Sequence, residues 1–209
     1  MAQSTGKEPS RIQKRNRLLI LDAALEVFSA HGFRGATLDM ISAQAGLSKP
    51  NLLYYFDSKE DIHVTLLSQL METWLDPLVE LHPDGDPIEE ILSYVQRKLD
   101  MARDLPRESR LFAGEILQGA PRMLPHLQAD LKPLFDAKCA VIQDWIDAGR
   151  LAPLDPAHLI FSIWATTQHY ADFGAQVAVL LTPEDPHARA SAHLRSLFLH
   201  QLAPTLGKN

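Results

Sequence analysis

Five side chains with charged or hydrogen-bonding ends stand within eight residues of one another near the amino terminus: Ser48, Lys49, Asn51, Tyr54 and Tyr55. They supply a hydroxyl, a cation, an amide and two phenols, which are the groups that proteins use against phosphate oxygens and base edges. A lysine suits guanine and an asparagine suits adenine, so Lys49 and Asn51 are the two that can discriminate between bases. The chemistry predicted for this segment is DNA recognition.

The elements that would position these side chains are two short helices joined by a tight turn. Thr37 is a good cap for the first helix, Gly46-Leu47 supplies the turn, and Ser48 is a good cap for the second. This spacing predicts a helix-turn-helix, and the alternative is a helical corner with both tyrosines packed inward. The amino termini at Thr37, Ser48 and Ser58 also suit phosphate, and Lys59 stands at the last of them.

Prolines and capping residues divide the rest of the chain into helices. Asp86-Pro87, Asp155-Pro156 and Thr182-Pro183 each place a capping side chain before a proline at the first helical position. Since no alternating run is flanked by hairpin turn residues, the predicted fold class is all-α. The predicted helices are 11–30, two short helices after Thr37 and Ser48, 58–77, 88–102, 108–117, 127–148, 157–181 and 183–202.

The charge distribution suggests that only one end of the chain meets an anionic partner. The formal net charge is −6, but residues 1–60 carry eight Lys and Arg against six Asp and Glu, a balance of +2, which leaves −8 for the remainder. We therefore predict a flexible basic tail over 1–10, a DNA-binding domain over 11–60, and an effector-binding and dimerisation domain over 61–209. The basic segment Lys7 to Arg17 either reaches DNA as a flexible arm or is a solvated tail and first helical turn.

Composition and motifs exclude several other classes of protein. A single cysteine, Cys139, cannot form an internal disulfide, which is typical of a reducing compartment, so we expect a cytoplasmic protein. The least charged stretch, 156–182, contains histidines and glutamines, so no membrane span is expected. His169 and Asp172 lack a third metal ligand at helical spacing, and no catalytic motif is present. We predict neither a metal site nor an enzyme.

The amino-terminal motifs resemble those of the TetR family of transcriptional repressors. The resemblance is carried by Phe28, Gly32-Phe33, Thr37, Ile41, the run Ala45-Gly46-Leu47-Ser48 and the run from Tyr54 to Ile62. It implies that Thr37, Lys59 and either Tyr54 or Tyr55 hold phosphates while residues 49–53 read bases. The phenol must come from Tyr54 or Tyr55 because Leu53 stands where the family usually has a tyrosine.

The final segments suggest a homodimer contact through the last two helices. Small residues in the predicted helix 157–181 would let a partner helix approach closely, and apolar residues of the final helix would complete the contact. The small residues are Gly174, Ala175 and Ala178, and the apolar ones are Leu194, Leu197, Phe198 and Leu202.

Two tryptophans and a glutamine form the predicted effector site. Trp164 and Gln168 are one helical turn apart, and Trp74 lies near the end of the helix 58–77. A glutamine amide offers a donor and an acceptor side by side, which complements the amide edge of a flat heterocycle stacked on indole. Asp172 is a further candidate acceptor. In the alternative reading the tryptophans are core residues and Gln168 satisfies a backbone group.

A second set of motifs resembles the branch of the family that regulates bacterial pyrimidine utilisation. It comprises Asn51 to Phe56, Trp74 to Leu78, Ser109 to Phe112, Gly119 to Pro121, Leu151 to Pro153 and Trp164 to Phe173. Because that branch responds to uracil and thymine, the resemblance implies a planar pyrimidine dione as effector, and no resident cofactor is expected. A different flat heterocycle and a ligand-independent DNA-binding protein remain the alternatives.

Overall fold

The computed structural model describes residues 10–181 and 185–203, which form an all-helical protein without strands, so the predicted fold class is confirmed. The helices are α1 (Arg11–Gly35), α2 (Leu38–Gln44), α3 (Lys49–Leu53), α4 (Lys59–Val79), α5 (Pro87–Asp104), α6 (Pro106–Leu117), α7 (Leu124–His126), α8 (Lys132–Asp147), α9 (Pro156–Asp172), α10 (Gly174–Leu181) and α11 (Pro186–Leu202), with a π-helical segment over Leu127–Leu131.

The chain divides into two compact units, Met1–Leu67 and Ser68–Asn209, with the division inside α4. The domain boundary predicted after residue 60 falls at the first residues of that helix. In the first unit α2 packs against α1 and α3. The large side chains that are fully buried there are Ile20, Phe28, Ile41, Leu52, Phe56, Ile62 and Leu67.

The helix-turn-helix forms where the capping pattern predicts it. The Thr37 hydroxyl accepts from Met40 N at the start of α2, and the Ser48 hydroxyl accepts from Asn51 N at the start of α3. Gly46 supplies the turn with φ 66°, a left-handed conformation that costs glycine little because it has no Cβ. Leu52 is fully buried and fixes α3 on the core of its unit.

In the second unit α5 lies between α9 and α11, and α6 packs against α9. The core of this unit extends from Leu78 through the apolar face of α5 to Ile160, Ile163 and Phe198. Among the residues that the structure describes, none of the helices combines the length and the apolar character needed to cross a membrane.

The predicted single helix 157–181 is wrong, because it breaks into α9 and α10 at Phe173. Phe173 has φ −109° and ψ 27°, outside the helical region, and Gly174 follows it. The Ala171 carbonyl accepts from Arg110 Nη1 at 3.2 Å. A tertiary hydrogen bond and a poor helix former therefore coincide at the break.

The predicted helix 127–148 begins with the π-helical segment, and α8 continues it from Lys132 to Asp147. The π-helical segment ends at Leu131, two residues before Pro133, which has no N–H to contribute to a helical hydrogen bond. The predicted cap Thr182-Pro183 lies outside the described residues. Helix α11 instead begins at Pro186 after Asp185, whose side chain accepts from His187 N.

Three of the residues predicted for the dimer contact pack inside their own protomer. Leu194, Phe198 and Leu202 are buried in the core that α11 shares with α5. Their assignment to a dimer contact is wrong because α11 is amphipathic and this face covers α5. Leu197 does not belong to that core and is 43% exposed.

Candidate DNA-binding and effector sites

The exposed side of α3 presents the side chains that were predicted to read bases. Lys49 and Asn51 are exposed, whereas Leu52 is buried on the side of α3 that faces the core. Helix α3 is only five residues long, and Pro50 lies in its first turn, where no intrahelical N–H bond is lost. The short helix therefore displays Lys49 and Asn51 on a rigid support.

Lys49 forms an ion pair with Asp39 of α2, with Nζ and Oδ2 2.9 Å apart. Both side chains are largely exposed, so the pair contributes little stability. The contact holds the lysine across the helix-turn-helix. To read a base, Lys49 must break this ion pair or donate to Asp39 and to the base at the same time.

Two amides of α1 orient the predicted phenols. Gln13 Nε2 donates to the Tyr54 hydroxyl at 3.0 Å, and Asn16 Nδ2 donates to the Tyr55 hydroxyl at 2.8 Å. Each phenol oxygen is thus an acceptor, which leaves its O–H proton to donate. Gln13 also completes the cap of α1, because its Oε1 accepts from Ser10 N. Ser10 is the one residue of the predicted basic tail that the structure describes.

Lys59 forms mainly intramolecular contacts in this structure. Its Nζ donates to the carbonyl oxygens of Phe33 and Ala36, both at 2.7 Å, and lies 4.5 Å from the centre of the Phe33 ring. These contacts fix the carboxyl end of α1. One N–H of Lys59 and the amino terminus of α4 remain for the predicted phosphate contact.

The predicted effector residues of α9 lie on one face of that helix. Trp164 and Gln168 are both half-buried and one turn apart. The Trp164 ring packs against Phe135 and Phe161, with ring centres 5.9 and 5.7 Å away. Within the described residues the Gln168 amide makes no hydrogen bond to protein, so its donor and its acceptor are both available to a ligand.

Helix α5 links Trp164 to Trp74, and this link was not predicted. The Tyr94 hydroxyl accepts from Trp164 Nε1 at 2.6 Å. One turn later, Lys98 Nζ donates to the Trp74 carbonyl oxygen at 3.3 Å and lies 5.1 Å from the centre of the Trp74 ring. Trp74 is 7% exposed. Trp74 and Trp164 are thus both bound by side chains of α5, and Gln168 lies one turn from Trp164 on α9.

Burial changes the acidity of both linking side chains. It raises the pKa of the Tyr94 hydroxyl, which therefore keeps its proton, although the bond from Trp164 acts in the opposite direction. Burial also lowers the pKa of Lys98 to about 7. Near neutral pH this amine is divided between its charged and neutral forms.

Asp172 is engaged by α6 at the end of α9. Ser109 donates from its hydroxyl to Asp172 Oδ1 at 2.6 Å, and Ser109 is buried. The second carboxylate oxygen keeps the capacity to accept a hydrogen bond from a ligand. No cluster of three or more potential metal ligands occurs in the described part of the chain.

Two grooves border α4 in the second unit. One of about 410 Å³ is lined by Thr73, Asp76, Pro77, Arg97, Asp100, Met101, Asp104 and Leu105. The other, of about 640 Å³, is lined by Ser68, Met71, Glu72, Leu75, Pro125, His126, Ala129 and Asp130. Neither groove is lined by Trp74, Trp164 or Gln168.

Two protein-family models match successive parts of the chain. Residues 20–64 match the family described as bacterial regulatory proteins, tetR family, and residues 67–205 match the family described as YcdC-like protein, C-terminal region. The chain is 49% identical over 175 residues to the HTH-type transcriptional regulator RutR of Escherichia coli K12, covering 84% of this chain and 82% of RutR. It is 32% identical over 137 residues to the HTH-type transcriptional repressor NicS of Pseudomonas putida, covering 65% and 64%.

Solved structures show the same fold. The transcriptional regulator SCO4942 of Streptomyces coelicolor matches with a TM-score of 0.72 and 25% identity over 90% of this chain and 99% of that chain. AibR, solved in complex with isovaleryl coenzyme A and operator DNA, matches with a TM-score of 0.69 and 15% identity over 87% and 97%. The chain belongs to the TetR family of transcriptional regulators, which are not enzymes.

Proposed function

We propose that this protein is a homodimeric regulator that binds operator DNA through α3 and changes its DNA affinity when uracil or thymine binds. The observation that carries the proposal is that α5 joins Trp74 and Trp164 through Lys98 and Tyr94, with Gln168 one turn from Trp164 on α9. Indole rings and a primary amide complement a flat ring with an imide edge. The 49% identity to RutR, the pyrimidine-utilisation regulator of E. coli, supports the same ligand class.

Helix α4 is the element through which a ligand would act on DNA binding. It is continuous from Lys59 to Val79, and it carries Trp74 in its last turns. A ligand that prefers one orientation of Trp74 therefore favours one orientation of α4 and of the segment that precedes it. In a dimer this changes the separation of the two α3 helices, which must match half-sites a fixed distance apart.

The homodimer is supported by apolar side chains left exposed on the last two helices. Val179 and Leu180 of α10 are exposed, and so are Leu197 and Leu199 of α11. Exposed apolar side chains on neighbouring helices are typical of a protein–protein contact. A dimeric sedimentation coefficient that persists at low micromolar concentration supports the proposal, and a monomer under these conditions contradicts it.

Operator binding with and without the effector tests the function directly. A duplex is first selected by the protein from a random library, and its affinity is then measured by fluorescence anisotropy with uracil, thymine, adenine and no ligand. We expect uracil or thymine to change the affinity about 5- to 150-fold, the range of ordinary allosteric coupling, and adenine to have no effect. A response to adenine alone favours a different heterocycle, and no response favours a ligand-independent protein.

Such a regulator acts where the genomic DNA is, so the proposal places it in the cytoplasm. The positive balance of residues 1–60 and the negative balance of the remainder support DNA binding by the amino-terminal part alone.

A further inference from the structure

Lys98 is a buried cation whose hydrogen-bonding capacity is mostly unused. It is 2% exposed, and its described hydrogen bond is the one to the Trp74 carbonyl oxygen. An ammonium group has three N–H donors, so two remain. The Trp74 ring attracts the charge but does not satisfy these donors. A buried ammonium in this condition is costly unless an acceptor joins it.

The acidic groups on the helices around α5 are not the missing acceptors. On α6, Glu115 is paired with Arg122, and on α9, Asp172 accepts from Ser109. Burial is the cause of the lowered pKa of Lys98, and no carboxylate in the described part of the chain, including Glu108 on α6 and Asp76 on α4, counteracts it. The unused donors of Lys98 therefore point to a ligand.

Tyr94 places a second donor on the same face of α5. It is one turn before Lys98, so the two side chains are neighbours on the helix surface. The Tyr94 hydroxyl oxygen already accepts from Trp164 Nε1, and the hydroxyl proton is still available for donation. The face of α5 between the two tryptophans thus offers hydrogen-bond donors, whereas Gln168 on α9 offers a donor and an acceptor.

We propose that Lys98 is an effector-binding residue, which donates to a ring carbonyl oxygen of a flat cyclic imide while Gln168 binds the amide edge. This inference rests on the proposed function and specifies how its ligand is selected. A ring with an exocyclic amino group in place of that oxygen would set a donor against the donors of Lys98 and is rejected. The site accordingly takes pyrimidine diones and excludes aminopyrimidines.

A cycle of ligand and protein changes tests the assignment. Binding of uracil, 2-pyrimidinone, 4-pyrimidinone and cytosine is measured by calorimetry on the full chain and on its K98M and K138M variants. The pyrimidinones each lack one of the two carbonyl oxygens of uracil. Lys138 is the matched control, because it is a partly buried lysine that donates to two backbone carbonyls, those of Val79 and Leu81, and to none of the predicted effector residues.

We expect the full chain to bind uracil at least tenfold more tightly than one of the two pyrimidinones and to bind cytosine poorly. The K98M variant should lose at least tenfold in uracil affinity and should no longer distinguish uracil from that pyrimidinone. The K138M variant should bind like the unaltered protein. Circular dichroism checks that K98M is folded, which its similar length and apolar surroundings favour.

Two results overturn the inference while leaving the proposed function intact. Uracil binding that K98M does not weaken removes Lys98 from the site. An equal loss of affinity for uracil and both pyrimidinones shows that Lys98 merely supports Trp74. An unaltered protein that binds neither uracil nor thymine contradicts the proposed function itself, and the inference with it.

Discussion

The hydroxyl oxygen of Tyr94 and the indole nitrogen of Trp164 are 2.6 Å apart, which joins α5 to α9 in the interior of the second unit. The indole N–H of tryptophan can only donate a hydrogen bond, so the Tyr94 oxygen is the acceptor and the phenol proton is left unused. This single contact orients the ring that we assign to effector stacking. It also couples that ring to the helix that carries Lys98.

Removing the Tyr94 hydroxyl should destabilise the protein. In Y94F the indole N–H of Trp164 loses its partner in a largely buried place, which costs about 1–3 kcal/mol of unfolding free energy. Urea denaturation followed by tryptophan fluorescence measures the change. Y170F is the matched control, because Tyr170 is half-buried and its hydroxyl has no hydrogen bond among the described residues. Equal stabilities for the two variants would show that the Tyr94 bond contributes nothing.

The buried amine of Lys98 should make stability depend on pH. Burial lowers its pKa in the folded protein to about 7, from the ordinary value of 10.5 in the unfolded chain. Between these values the unfolded chain binds the extra proton, so this group makes the folded state more stable as the pH rises. Below about pH 7 both states are protonated and the full cost of burial is present.

The K98M variant isolates this contribution because all other titrating groups are shared. Its stability advantage over the unaltered protein should be largest at pH 6 and should shrink steadily at pH 7, 8 and 9, by about 1.4 kcal/mol for each pH unit above the folded pKa. Urea unfolding at these four values is the measurement. A difference that stays constant with pH would mean that Lys98 is charged throughout.

Gln168 should determine effector binding without supporting the fold. Its amide makes no hydrogen bond in the described structure, so Q168L removes a ligand contact and leaves no partner unsatisfied. We expect at least a tenfold loss of uracil affinity with an unchanged unfolding midpoint. Q176L, at an exposed position of α10, should keep the affinity. If Q168L binds uracil as the unaltered protein does, Gln168 does not recognise the amide edge.

Helix starts could be predicted from the sequence because their causes are local. The hydroxyl of Ser58 accepts from Asp61 N, and Asp61 in turn accepts from Asp57 N, so the helix amino terminus predicted at Ser58 forms there. The same holds for Thr37 and Ser48. In each case the side chain and the backbone group that it satisfies are within three or four residues.

The errors have tertiary causes that no local pattern records. The break at Phe173 coincides with a hydrogen bond from Arg110, which is distant in sequence. The buried side of α11 follows from its packing on α5, so Phe198 could not be assigned to a core or a dimer from periodicity alone. Lys98 was missed because a lysine beside Arg97 is typical of a solvated face, and only the neighbouring Trp74 shows otherwise.

Releasing Lys49 from Asp39 should strengthen DNA binding. The ion pair is exposed and is worth at most about 1 kcal/mol, so D39N should raise operator affinity by up to about fivefold. Fluorescence anisotropy on the selected duplex measures it. D22N serves as the control, since Asp22 is an exposed aspartate of α1 without a described ion pair. An equal gain for D22N would show that net charge, and not the release of Lys49, is responsible.

The phenols of Tyr54 and Tyr55 should hold phosphates without reading sequence. Each is oriented by an amide of α1 so that its proton can be donated outward, and Tyr54, at 67% exposure, is the more accessible. Y54F should therefore lower affinity about fivefold, the worth of roughly one hydrogen bond, and Y55F should have a smaller effect. The loss should be equal for operator and unrelated duplexes, because phosphate contacts carry no base information. The salt dependence should not change, since a neutral hydroxyl adds no charge to the contact. A loss confined to the operator would instead make the phenol a base-reading group. If neither variant lost affinity, neither tyrosine would contact DNA, and their hydroxyls would serve only the hydrogen bonds to Gln13 and Asn16.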